Sequence, residues 1–76
     1  VRLFAVLREI AGASEVDVRA RTAGDVGREL ASRYGPRFAE VVGVSTFVVN
    51  GERADASTPV ADGDEVAILP PVSGGR

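Results

Sequence analysis

The stretch TAGDVGRELASRYGP, from Thr22 to Pro36, sets the frame for everything around it. Ala23, Val26, Leu30 and Tyr34 recur at the spacing of one helix face, while Arg28, Glu29, Ser32 and Arg33 fall elsewhere on the turn. Thr22 is placed to cap the first turn, with Asp25 three residues on as the short-armed partner of a capping box. Gly35 suits the left-handed residue just past the end, and Pro36 blocks continuation. The flanks carry a different period. VRLFAVL (1–7) is apolar except at Arg2 and reads as a strand, Gly12 marks a turn, and SEVDVRA (14–20) alternates with Val16 and Val18 on one face. These two segments predict a hairpin.

After the helix, RFAEVV (37–42) reads as a further irregular turn. STFVVNGERA then gives a strand, an Asn50–Gly51 two-residue turn and a short return. An Asp62–Gly63 turn leads into the last strand, Glu65–Leu69, which Pro70 and Pro71 stop because proline donates no ladder hydrogen bond. The order is β-β-α-β-β, an α+β chain. One amphipathic helix cannot cover two sheet faces, so a single mixed sheet with the helix packed across one side is expected. A β-grasp arrangement satisfies this, with the first and last strands adjacent in the middle of the sheet. Residues 1–71 are expected to form that domain, and 72–76 a flexible Gly-Gly tail.

Composition narrows the chemistry. Seventy-six residues suffice for one small domain. There is no cysteine to act as nucleophile or disulfide, and no histidine to act as general base or metal ligand. All nine basic residues are arginine, which excludes Schiff-base chemistry and any lysine acceptor on this surface. A net charge of −2 gives no support for nucleic-acid binding. No apolar run approaches the roughly 20 residues of a membrane helix. The start lacks the basic leader and cleavage site of a secretory signal, so a cytoplasmic location is expected. Self-contained catalysis is not expected, and neither a bound cofactor nor a metal is. Asp62, Asp64 and Glu65 cluster within DGDE, but a glycine between acidic residues is more economically a turn. Arg8 and Glu9, like Arg19 and Arg21, read as solvated charges.

Strand alternation then assigns faces. With Leu3, Ala5 and Leu7 toward the helix, Phe4 and Val6 point to the other side; with Phe47, Val49, Val66 and Ile68 inward, Val48, Ala67 and Leu69 point out. Phe4, Val6, Val48, Ala67 and Leu69 are therefore expected to form an apolar patch on the uncovered sheet face. Clustered exposed apolar surface of several hundred Å² marks a partner site more often than not. Fully burying one such side chain is worth about 1.5–3 kcal/mol, so a few together anchor a complex, with Phe4 the expected hot spot.

Beyond Pro71 the chain reads VSGGR. Such a segment packs little, and termini are ordinarily where order is lost. A slender segment leaving a domain can also thread a narrow channel and present its terminal carboxyl in another protein's active site. LFAVLREIAG near the start, VNGE in the middle and DGDEVAILPPVSGG at the end together resemble the MoaD/ThiS family of ubiquitin-like sulfur carriers, and within it the MoaD branch, over nearly the whole chain. The resemblance implies that the Gly75 carboxyl is adenylated by an ATP-dependent (MoeB-like) activating enzyme and converted to a thiocarboxylate. It implies that Val72, Ser73 and Gly74 thread the activating enzyme and then the large (MoaE-like) subunit of molybdopterin synthase. It also implies a sulfur donor system, with sulfur delivered to a pterin precursor in molybdenum cofactor biosynthesis and ATP consumed by the partner. The family's apolar sheet surface contacts both partners, and Phe4 and Leu69 fall on matching positions; Arg53 falls where relatives carry an apolar residue. Sulfur delivery to thiazole, cysteine or tRNA, a ubiquitin-like protein modifier, and an interaction domain without tail chemistry remain open alternatives. Arg76 departs from the pattern, because the reactive carboxyl would belong to Gly75. A precursor trimmed after Gly75, the start of a fusion with the large subunit, or a residue left by expression would each account for it.

Overall fold

In the computed structural model, which describes residues 1–71, the first strand ends far sooner than its apolar run suggests. Strand β1 is Arg2–Leu3 only, and Ala5–Ala11 forms helix α1. Leu3, Leu7, Ile10 and Ala11 explain the correction. They repeat at three- and four-residue spacing, Leu3 and Leu7 are fully buried, and Ile10 and Ala11 pack against the same cluster. A continuous strand would have sent half of the run to the opposite face. The chain turns at Ala5, whose φ of +52° is uncommon for a residue with a Cβ. Gly12, expected to mark a turn, is the left-handed cap of α1, and its N–H donates to the Arg8 carbonyl.

The expected second strand is reduced to one bridge between Arg2 and Glu15. Its alternation survives in burial: Val16, Val18 and Ala20 are half-buried, and Glu15, Asp17, Arg19 and Arg21 are exposed. The Leu3 N–H donates to the Ser14 carbonyl and the Val16 N–H to the Val1 carbonyl, which holds the segment beside β1.

Helix α2, Ala23–Tyr34, starts at Thr22, whose Oγ1 accepts from the Asp25 N–H at 3.2 Å. The Asp25 carboxylate pairs with Arg28 one turn on. The next two free N–H groups at this helix end, Ala23 and Gly24, donate to the carbonyls of Thr58 and Ala56 at 2.9 Å. An added Cβ on Gly24 would meet the Ala56 carbonyl oxygen at 2.9 Å, so this contact requires glycine.

The stretch read as an irregular turn is a third helix, α3, Pro36–Gly43. Proline at its first position has no N–H to waste there. Phe38 is fully buried and meets Tyr34 with ring centroids 5.2 Å apart. Strands β2 (Thr46–Val49), β3 (Glu52–Ala54) and β4 (Val66–Leu69) complete the chain. Asn50 and Gly51 have φ of +51° and +83°, the pair of positive values that a tight two-residue hairpin turn requires.

The sheet order is β1-β4-β2-β3, with β1 parallel to β4 and the other pairs antiparallel. First and last strands are adjacent as expected, although β1 has only the Glu15 bridge on its outer side. Leu3, Ile68 and Phe47 form one row of the ladder, and with Val49 and Val66 they face the helices. Leu7 of α1, Ala23, Val26 and Leu30 of α2, and Phe38 of α3 fill the same core. All three helices thus pack on one side. The mixed sheet with helices across one face is a β-grasp, ubiquitin-like arrangement.

Candidate partner interface

The register generates the outer face of the sheet. Arg2, Ala67, Val48 and Arg53 align across four strands, and Leu69 pairs with Thr46 in the next outward row. Carrying the parallel register one residue on sets Phe4 beside Leu69. Phe4 and Leu69 are each 37% exposed despite their apolar side chains, whereas Val48 and Ala67 are half-buried. Val6, assigned to this face from the sequence, does not belong to it. It lies on α1 and is half-buried, because the chain has left the sheet by then. Ala5, assigned inward, is exposed. Val72, Ser73, Gly74 and Gly75 lie outside the described residues.

Charge frames the apolar surface. Arg2 is held by two carboxylates, Glu15 at 3.4 Å and Glu65 at 3.1 Å, with all three side chains more than half exposed. Such pairs contribute little stability and fix the orientation of the guanidinium. Arg53 extends the same row at the far edge, where it makes no ion pair among the described residues. Arg8 and Glu9 are exposed on α1.

The DGDE cluster is a turn. Gly63 has φ of +88°, and the Asp64 N–H donates to the Ala61 carbonyl. Asp64 accepts from the Ala61 N–H at 2.8 Å and from Asn50 Nδ2 at 3.1 Å, while Asn50 Oδ1 accepts from the Glu65 N–H. The side-chain bond from Asn50 holds the Asp64 carboxyl below its ordinary range. Among the described residues no three acidic groups converge on a metal position. A shallow groove of about 470 Å³ between α2, α3 and the β3 edge is lined largely by small residues, with Arg28, Arg53 and Asp55 as its charged side chains. No helix among the described residues is long and apolar enough to cross a membrane.

Sequence reasoning missed Val44. It follows α3 and is 67% exposed, the most exposed large apolar side chain among the described residues. The available signal was its place two residues before the strand that pairs with Leu69. Phe4, Leu69 and Val44 all lie at the sheet end where β4 leaves through Pro70 and Pro71.

The ThiS family model matches residues 1–75. A molybdopterin synthase sulfur carrier subunit from Aedes aegypti is 35% identical, with 95% of this chain and 83% of that protein covered. The solution structure of small archaeal modifier protein 1 from Methanosarcina acetivorans superposes with a TM-score of 0.85 at 33% identity, covering 97% of this chain and 92% of that one. A chain of the Amycolatopsis orientalis BexX/CysO complex superposes with a TM-score of 0.79 at 26% identity, covering 97% of this chain and 96% of that one. A chain with this sheet, these turns and near-complete coverage in both directions belongs to the ThiS family of ubiquitin-like proteins.

Proposed function

We propose that this chain is the sulfur carrier subunit of a molybdopterin synthase, acting through the carboxyl of Gly75. The carrying observation is the union of two features at one end of the sheet: exposed Phe4 and Leu69, and a strand that runs out through Pro70–Pro71 toward VSGG. The relative from Aedes aegypti supports the pathway, and the match to the family extends through Gly75. A neighbour solved as a two-protein complex supports work through a partner.

The chemistry on this reading is as follows. The Gly75 carboxylate attacks the α-phosphorus of ATP in an activating (MoeB-like) enzyme, forming an acyl-adenylate and releasing pyrophosphate. A sulfur nucleophile from the donor system attacks the acyl carbon, a C–S bond forms and AMP leaves. With a donor persulfide as that nucleophile, a second donor thiol attacks the donor-side sulfur of the resulting acyl disulfide, so the S–S bond breaks, a donor disulfide forms and the thiocarboxylate is left on Gly75. In the large (MoaE-like) subunit its sulfur bonds to a pterin precursor, and water hydrolyses the acyl–sulfur bond to return the Gly75 carboxylate. This chain contributes a docking face and an acyl terminus; with no histidine, cysteine or lysine, it has no side chain to compete for the activated carbonyl as base, thiol or amine. Arg76 must be absent or removed, since an added residue moves the reactive carboxyl one position on.

The test is the intact mass of the protein purified from its host, together with ATP-dependent pyrophosphate release. A chain ending at Gly75, with one oxygen replaced by sulfur in part of the population, is the expected result. Equal activation of chains ending at Gly75 and at Arg76 would refute the role of Gly75. The likeness to a modifier protein favours a second reading, in which the same carboxyl forms isopeptide bonds with target lysines. Glycine-tagged lysines in a tryptic digest of the host proteome would distinguish it.

A further inference from the structure

We infer that Val44 is part of the surface on which the activating enzyme seats, completing an apolar collar with Phe4 and Leu69 around the point where the chain leaves the sheet. The inference rests on the reading of Gly75 as the reactive terminus. Gly75 is only the fourth residue beyond Pro71, and an extended chain spans at most about 3.6 Å per residue, or about 14 Å in all. A carboxyl on so short a tether reaches a reaction centre below a partner's surface only if that surface closes on the domain around Pro71. The residues surrounding that point must then lie in the contact, whatever else the interface includes.

The register identifies them. β1 and β4 run parallel and both end there, at Leu3 and Leu69, with Phe4 next in line. β2 runs the other way and begins there, with Thr46 opposite Leu69 and Val44 two residues earlier. Among the described residues the exposed large apolar side chains, Phe4, Val44 and Leu69, are thus gathered at one end of the sheet. The opposite end, by contrast, carries Asn50, Glu52, Asp62 and Glu65. The partner chemistry that fits is a channel mouth rimmed by apolar side chains, meeting Val44 from the α3–β2 side while the sheet face meets Phe4 and Leu69. Val44 is exposed, lies outside the hydrophobic core cluster and holds the end of α3 through its backbone N–H, so its side chain can be varied without disturbing the core.

The experiment measures binding of the chain ending at Gly75 to the adenylating enzyme of the same cell, alongside ATP-dependent pyrophosphate release. Val44→Ser is expected to raise Kd about fivefold, the loss of part of one valine's buried apolar area, and Val44→Arg to raise it further. Glu52→Gln at the far end of the sheet is expected to leave Kd unchanged, and circular dichroism to show all variants folded. A Kd unchanged in both Val44 variants, with the parent chain still adenylated, would overturn the collar and leave the carrier reading intact. A parent chain that is neither bound nor adenylated would overturn both.

Discussion

Gly27 offers a substitution whose sign depends on which of two effects wins. It lies inside α2, where glycine is unfavourable relative to alanine by about 1 kcal/mol, so Gly27→Ala on an exposed helix would stabilise. Here an added Cβ would sit 2.8 Å from Val42 Cγ1 and 3.1 Å from Phe47 Cζ. Val42 is on α3, where a β-branched side chain has essentially one χ1 rotamer, and Phe47 is set in the central part of the sheet next to Ile68. Neither neighbour can swing away cheaply, and overpacking of this kind costs about 1–3 kcal/mol. The net expectation is destabilisation of about 1 kcal/mol, which for a domain of this size lowers Tm by about 4–8 °C. Urea denaturation and thermal melting of Gly27→Ala, Val42→Ala and the double variant measure it. Val42→Ala removes the nearest clash, so the double variant should be more stable than the two single effects predict by addition. A Gly27→Ala protein as stable as the parent, or more so, would refute the close packing of α2 against α3 and β2.

Acid should weaken the end of the molecule held by Asp64. Its carboxyl is depressed in the folded state, chiefly by the bond from Asn50, so its contribution is present above the unfolded value and lost as pH falls through the folded one. Denaturation midpoints should hold steady at neutral pH and fall below about pH 4, and Asp64→Asn should flatten that fall; an equal pH slope in both proteins would refute the assignment. Gly51→Ala places a Cβ at φ of +83° in the hairpin turn and should cost about 1 kcal/mol by equilibrium unfolding, with no steric clash to blame because open space surrounds the position.

Local signals were readable wherever the deciding chemistry lay within a few residues. The α2 cap at Thr22, the Asn50–Gly51 hairpin and the Asp62–Gly63 turn follow from a capping side chain or a glycine acting on its own backbone. Helix α2 ends at Gly35 as expected, although with φ of +102° and ψ of −178° rather than in the left-handed helical region. The apolar run VRLFAVL failed because its residues fit two periods at once, and only the rest of the core could choose between them. Leu7 reaches the cluster of Leu30 and Phe38 as a helical residue, and that contact converts the second half of the expected strand into α1. RFAEVV was misread for a related reason: eight residues make a marginal helix alone, and burial of Phe38 against Tyr34 supplies what propensity does not. For the candidate site, alternation gave Phe4, Val48, Ala67 and Leu69 the same face, and it misplaced Val6 because alternation ends where the strand ends.

The sequence by itself determined the Asn50–Gly51 and Asp62–Gly63 turns, the central helix, the exclusion of histidine, cysteine and lysine chemistry, and the family, since each rests on residue identity or short-range backbone preference. Tertiary structure alone decided how many helices cover the core, that Val6 leaves the sheet face and that Val44 is left outside. That choice depends on contacts between residues far apart in the chain, such as Thr46 with Leu69 and Leu3 with Ile68, which no local period encodes. Val44 illustrates the division: unremarkable in the sequence, it gains its place beside the chain's exit only because β2 and β4 pair in that register.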